Sequence, residues 1–143
     1  WNMSLNKYIK VQRGDRSSVL QMLKSCSEAL SSGSSIMMFP ESTRSSSGRL
    51  RQFKPGAFEI ALACRRPILP MVIRGTEHAL AKNGFLLQGR HHITIEVKPP
   101  VPYSEFEGLS AEALTAKMRA LFAEELGDAE PLLEGDAFRD AVP

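Results

Sequence analysis

Six consecutive residues, Phe39-Pro40-Glu41-Ser42-Thr43-Arg44, set a carboxylate, two hydroxyls and a guanidinium directly after the apolar run Ile36-Met37-Met38. A guanidinium grips a phosphate through two parallel hydrogen bonds. A carboxylate beside it accepts from a sugar or glycerol hydroxyl. In open α/β sheets, the ends of strands are where ligands sit. On spacing alone, a Glu41–Arg44 ion pair of little energetic weight is the commoner fate of such a loop. Further on, Arg49, Arg51 and Lys54 precede Pro55-Gly56-Ala57-Phe58. Lys54 falls at a helix start, where free N–H groups and the helix dipole favour an anion. The competing reading is three solvated bases. Arg13, in Val11-Gln12-Arg13-Gly14-Asp15, is weak by itself, because an arginine near an aspartate is usually a surface pair. As a second strand-end arginine it becomes a candidate for the same anion as Arg44.

Other chemistries find less support. The histidines are His78, His91 and His92. The positions five places on are Asn83, Glu96 and Val97, so none completes an H-x-x-x-x-D pair. No cysteine or patterned acid lies near them, which argues against a metal site. No G-x-S-x-G elbow supports a serine triad, and no glycine-rich P-loop supports a nucleotide. Cys26 and Cys64 form no C-x-x-C pair. They read as small apolar residues of a core in a reducing compartment. Phe85-Leu86-Leu87, between glycines, either packs on the core or forms an apolar tip that meets a bilayer or an acyl chain.

The 143 residues are enough for one domain with a real core. At 43% hydrophobic and 24% charged the chain reads as globular, and no stretch approaches the ~20 apolar residues of a membrane span. The net charge of +2 hides an asymmetry: residues 124–143 hold seven acids and one base, leaving 17 bases against nine acids elsewhere. A basic body suits anionic substrates or an anionic membrane surface. No nucleic-acid motif and no aromatic interleaving among the bases accompany it, so a nucleic-acid partner is not expected. The first residue is Trp1, and the chain is expected to be a piece of a longer protein.

These side chains need elements to hold them. The pattern predicts a strand at 8–12, an amphipathic helix at 16–32 stopped by Gly33, and a buried strand at 35–39. A polar loop follows at 40–52, then a helix with Pro55 in its first turn. Strands are predicted at 68–73 and 93–98, the second ended by prolines. Ser110 caps a last helix whose face carries Leu114, Met118, Leu121, Phe122 and Leu126. Alternating strands and helices imply an α/β fold, a mostly parallel sheet flanked by helices. Residues 1–127 read as the domain and 128–143 as an acidic, flexible tail.

Taken as ordered blocks over residues 5–100, the chain resembles the glycerol-phosphate acyltransferase family, which includes the 1-acylglycerol-3-phosphate acyltransferases. Its arginine block resembles residues 11–15. Its F-P-E-G-T-R block is matched at 39–44 except that Ser42 replaces glycine. Its K-x-G-A-F block is matched by Lys54, Gly56, Ala57 and Phe58, and its V-P-I-x-P-V strand by 67–72. The resemblance implies an incomplete acyltransferase-like domain. It implies transfer of an acyl chain from acyl-CoA or acyl-carrier protein to glycerol 3-phosphate or a lysophospholipid, with no cofactor and no metal. It assigns Arg13 and Arg44 to the acceptor phosphate, Glu41 to the acceptor glycerol and Lys54 to the phosphate as well, with Ser42, Thr43 and Gly56 shaping the same site. The family's base is a histidine oriented by an aspartate, N-terminal to the arginine block. None of the twelve residues before Arg13 is His or Asp, so no catalytic residue is expected in this chain and the pair is expected upstream. Ser42 removes a glycine that permits positive φ, which alters the expected acceptor pocket. The implied location is membrane-associated, on a cytoplasmic, stromal or other organellar reducing side. The rival reading is a non-catalytic module that binds a phospholipid or phosphate.

Overall fold

A computed structural model of the chain describes residues 9, 16–43, 45, 49–76 and 90–127. The elements are α1 (Arg16–Ser31), α2 (Gly56–Cys64), β1 (Met71–Arg74), β2 (Thr94–Val97), a 3-10 turn (Tyr103–Glu105) and α3 (Ala111–Leu126). Of the predicted strand at 8–12 only Ile9 is described, with no strand assigned and packed against the α1 core; the tip at 85–87 and the tail at 128–143 lie outside the described residues.

Local chemistry sets the helix ends. Gly33 stops α1 at φ +85°, with Ser34 N–H donating to Ala29 O and Gly33 N–H to Leu30 O, the paired bonds of a Schellman cap. Ser110 caps α3 by accepting from Ala113 N–H at 3.1 Å. Its hydroxyl also contacts the Glu112 carboxylate. A bond to the Glu112 backbone, then one to Ser110, holds that carboxyl below its ordinary value. Pro55 stands one position earlier than predicted, as the N-cap of α2 with no side-chain cap of its own.

α2 joins two cores. Phe58 and Ala61 pack with Phe53, Val101, Phe106, Leu114 and Met118. Ile60, on the opposite face, packs with Met22 and Cys26 of α1, and Cys64 packs against that group. Both cysteines are free thiols, and Cys26 fills the apolar role read from the sequence. Burial pushes its thiol up, and the neighbouring Cys64 adds to the shift.

Two expectations about strands change. Residues 35–39 carry no strand, and Met37, Met38 and Phe39 are 64%, 41% and 67% exposed. An apolar run becomes a buried strand only with ladder partners and cover, and the described residues supply neither. The α/β character stands, but the pairing within the described residues is antiparallel: β1 meets β2 in the register Met71↔Val97, Ile73↔Ile95. Gly75, at φ +82°, lies so close to His92 O that no Cβ fits there. That close approach brings the chain at the end of β1 against the start of β2. An Ile68–Val101 bridge extends the contact. Arg74, Glu96 and Lys98 latch the hairpin to α3. Lys98 Nζ meets Glu125 Oε2 at 2.6 Å and Glu96 Oε1 at 2.7 Å, and Arg74 Nη1 meets Glu96 Oε2 at 2.8 Å.

Candidate functional site

The loop after Ile36 closes on itself. Ser42 N–H donates to Phe39 O at 3.1 Å, forming a tight turn. Ser42 sits in that turn at φ +66°, a conformation that usually belongs to glycine. The replacement of glycine therefore leaves the backbone of the turn in place, and what it adds is a hydroxymethyl group. Beyond the turn the chain returns alongside its own start. Lys54 N–H donates to Pro40 O at 2.8 Å, and Arg51 N–H donates to Glu41 Oε2 at 3.0 Å. The two bonds clamp 40–41 against 51–54.

The clamp delivers Lys54 to the start of α2, as its spacing predicts. Lys54 is exposed. Phe58 and Glu59 N–H both turn to Pro55 O. The N–H groups of Gly56 and Ala57 precede the helix ladder and meet no side-chain cap. A Cβ built on Gly56 would meet open space. A lysine, an uncapped helix start and an open glycine thus lie together beside the Pro40–Glu41 clamp. The combination favours an anion with hydroxyl groups nearby.

Of the residues singled out from sequence, Glu41, Ser42, Thr43, Lys54 and Gly56 fall in this one loop-and-helix unit. Arg13 and Arg44 lie outside the described residues. Glu41 proves to spend one oxygen on the Arg51 backbone, a bond across ten residues that no spacing rule announces. Sequence reasoning also passed over Arg119. Its Nε reaches Arg51 O at 3.4 Å, so α3 braces the clamp from behind. Between them, Gln52, Pro55, Glu112 and Arg119 help line a groove of about 370 Å³. The signal was the i, i+7 spacing of Glu112 and Arg119 on α3. His91 and His92 are exposed ahead of β2, and among the described residues no cluster of three metal-ligating side chains forms.

Fold and site together define an α/β domain whose loop and helix start bring Glu41, Ser42, Thr43, Lys54 and Gly56 into one unit. Comparison with known proteins narrows the class. The family model described as Acyltransferase matches residues 1–74, a span that holds the clamp and α2. A chloroplastic 1-acyl-sn-glycerol-3-phosphate acyltransferase of Brassica napus is 33% identical over 79% of this chain and 33% of its own length. One from Arabidopsis thaliana is 30% identical over 88% of this chain and 34% of its own length. The crystal structure of the 1-acyl-sn-glycerophosphate acyltransferase PlsC from Thermotoga maritima matches with a TM-score of 0.59 and 27% identity, over 79% of this chain and 46% of that one. The chain belongs to the acyltransferase family. It spans about a third of the length of the curated relatives it matches.

Proposed function

We propose that the chain is the acceptor-phosphate part of an O-acyltransferase that esterifies 1-acyl-sn-glycerol 3-phosphate in phospholipid synthesis. The observation that carries the reading is the clamp. It gathers Glu41, Lys54, Gly56 and the start of α2 into one unit inside the family-matched residues. In this reading Arg13, Arg44 and Lys54 neutralise the acceptor phosphate. The other oxygen of Glu41 takes a hydrogen bond from the acceptor glycerol. Ser42 and Thr43 line the turn beside it.

A His–Asp pair upstream of Arg13 would take the proton from the acceptor hydroxyl. That oxygen attacks the thioester carbonyl of acyl-CoA or acyl-carrier protein, the ester bond forms, and the thiolate departs and is protonated. The acyl donor is a co-substrate, and the reaction as written needs no further cofactor. A lipid acceptor places the work at a bilayer surface, which the basic body favours. Among the described residues no helix is long and apolar enough to cross a membrane. The chloroplastic relatives favour an organellar site.

The test is acyl transfer by the full reading frame of the gene and by the 143-residue chain, with acyl-CoA and acyl-carrier protein as donors. An active full protein, a silent 143-residue chain and an Arg44→Ala variant with a raised acceptor KM are expected. The second reading is a non-catalytic phospholipid-binding module. An inactive full protein that still binds lysophosphatidate would establish it.

A further inference from the structure

The β1–β2 pair has one covered face and one that leaves aliphatic side chains exposed. Along the run into β1, Pro70 and Val72 are buried, while Leu69 is 53% exposed. Side chains alternate across a strand. The register Met71↔Val97 and Ile73↔Ile95 therefore sets Leu69, Met71 and Ile73 on one face with Ile93, Ile95 and Val97. Ile93, Ile95 and Val97 are 47%, 59% and 57% exposed. On the other face lie Arg74, Glu96 and Lys98, held to Glu125 of α3. That face also holds the buried Pro70 and Val72, with Glu96 left exposed at its edge, whereas on the aliphatic face Leu69, Ile93, Ile95 and Val97 are exposed and Met71 and Ile73 are half-buried. Single exposed apolar residues are ordinary, but four on one face, with Met71 and Ile73 half-buried among them, are not.

We propose that this aliphatic face is the docking surface for a helical segment of the same acyltransferase fold that lies outside this chain. α/β sheets carry helices on both faces, and among the described residues α3 covers one face. The solved relative has more than half of its length beyond the match, and the plant relatives about two thirds. That is ample chain to form the second layer. The exposed Met37-Met38-Phe39 run is the same shortage of cover seen at a second place. The patch is built of isoleucine, leucine, valine and methionine, and its two strands carry no tryptophan or tyrosine of the kind that marks a membrane-interface belt. A packed helix suits it better than a bilayer. The inference rests on the half-domain reading above.

The experiment compares maleimide labelling of Ile95→Cys and Val97→Cys in the 143-residue chain and in the full reading frame, read by peptide mass spectrometry. Both sites are exposed, so the variants should fold, and Ser104→Cys on the 3-10 turn serves as the open control. Labelling at 95 and 97 is expected to slow by about tenfold or more in the longer protein, with Ser104→Cys unchanged. Equal rates in the two proteins, or a gene that encodes nothing beyond these residues, would overturn the proposal. Slowing that appears only with anionic vesicles would overturn it in favour of a lipid contact. Slowing that grows with the concentration of the 143-residue chain would overturn it in favour of a second copy. Acyl transfer does not enter the readout. Protection without activity would sink the proposed reaction and leave the surface standing.

Discussion

Ser42 holds the turn at φ +66° with its N–H on Phe39 O at 3.1 Å. An L-residue there costs about 1–2 kcal/mol relative to its ordinary conformations. Glycine would escape that cost and give back about 0.5–1 kcal/mol in chain entropy. Ser42→Gly should therefore leave the urea midpoint level or slightly raised, whereas Ser42→Val, branched at Cβ, should lose about 1–2 kcal/mol. Equal midpoints for the two would show that the turn is not held in the left-handed region. Gly56 makes the converse case. It opens α2 in ordinary helical conformation, with room for a Cβ. Gly56→Ala should stabilise the fold by up to about 1 kcal/mol. The added methyl would crowd the helix start, so in the full protein the acceptor KM should rise while kcat changes less. An unchanged KM would place the acceptor elsewhere. The place of Lys54 and Gly56 at a helix start was legible because a helix start is written in neighbouring letters. The Glu41 carboxylate was legible as chemistry but not as architecture. Its partner is a backbone N–H ten residues on, and any residue but proline carries one.

Helix ends show what local sequence controls. Ser110 caps α3 and also contacts the Glu112 carboxylate, whose folded value lies below its ordinary 4.5. A depressed carboxyl contributes stability above its unfolded value and loses it as pH falls through its folded value. Ser110→Ala should cost about 1 kcal/mol at neutral pH. The loss should shrink once the pH drops below the folded value of Glu112, because the part that favours the ionised carboxylate has gone. Urea midpoints of the two proteins measured from pH 7 downwards would show the curves converging, and parallel curves would mean the hydroxyl caps the backbone alone. The Gly33 and Ser110 boundaries were readable because caps involve residues three to five apart. Strand burial was not readable in the same way. Ile36-Met37-Met38-Phe39 has the composition of a buried strand, yet its ladder partners and cover must come from elsewhere in the fold. The direction of the β1–β2 pairing was hidden for the same reason. Apolar alternation sets which face a residue takes, and where the connecting chain returns decides parallel or antiparallel.

At the scale of the molecule, α2 is the joint. Its nine residues send Phe58 and Ala61 into the core shared with α3 and Ile60 into the core shared with α1. The candidate site sits at the N-terminal end of this joint, so both cores position it. α1 touches the rest through the smaller core, and α3 through the larger one and the ionic latch. If α2 transmits order between them, the described residues should unfold as one unit. Ile60→Ala and Met118→Ala remove buried side chains from the two different cores, and each should cost about 2–5 kcal/mol. Having no shared contact group, their costs should add to within about 0.5 kcal/mol. Under two-state unfolding each variant should shift a single urea transition, monitored by circular dichroism, without changing its slope. Amide exchange then supplies the sharper comparison. With a rigid joint, Ile60→Ala should lower protection in α3 as well as in α1, because both open by global unfolding. If instead Ile60→Ala loosens α1 and leaves α3 at its original protection, the smaller core opens on its own. The start of α2 would then be held by the α3 side and the Glu41 clamp alone, and acceptor binding should survive the substitution.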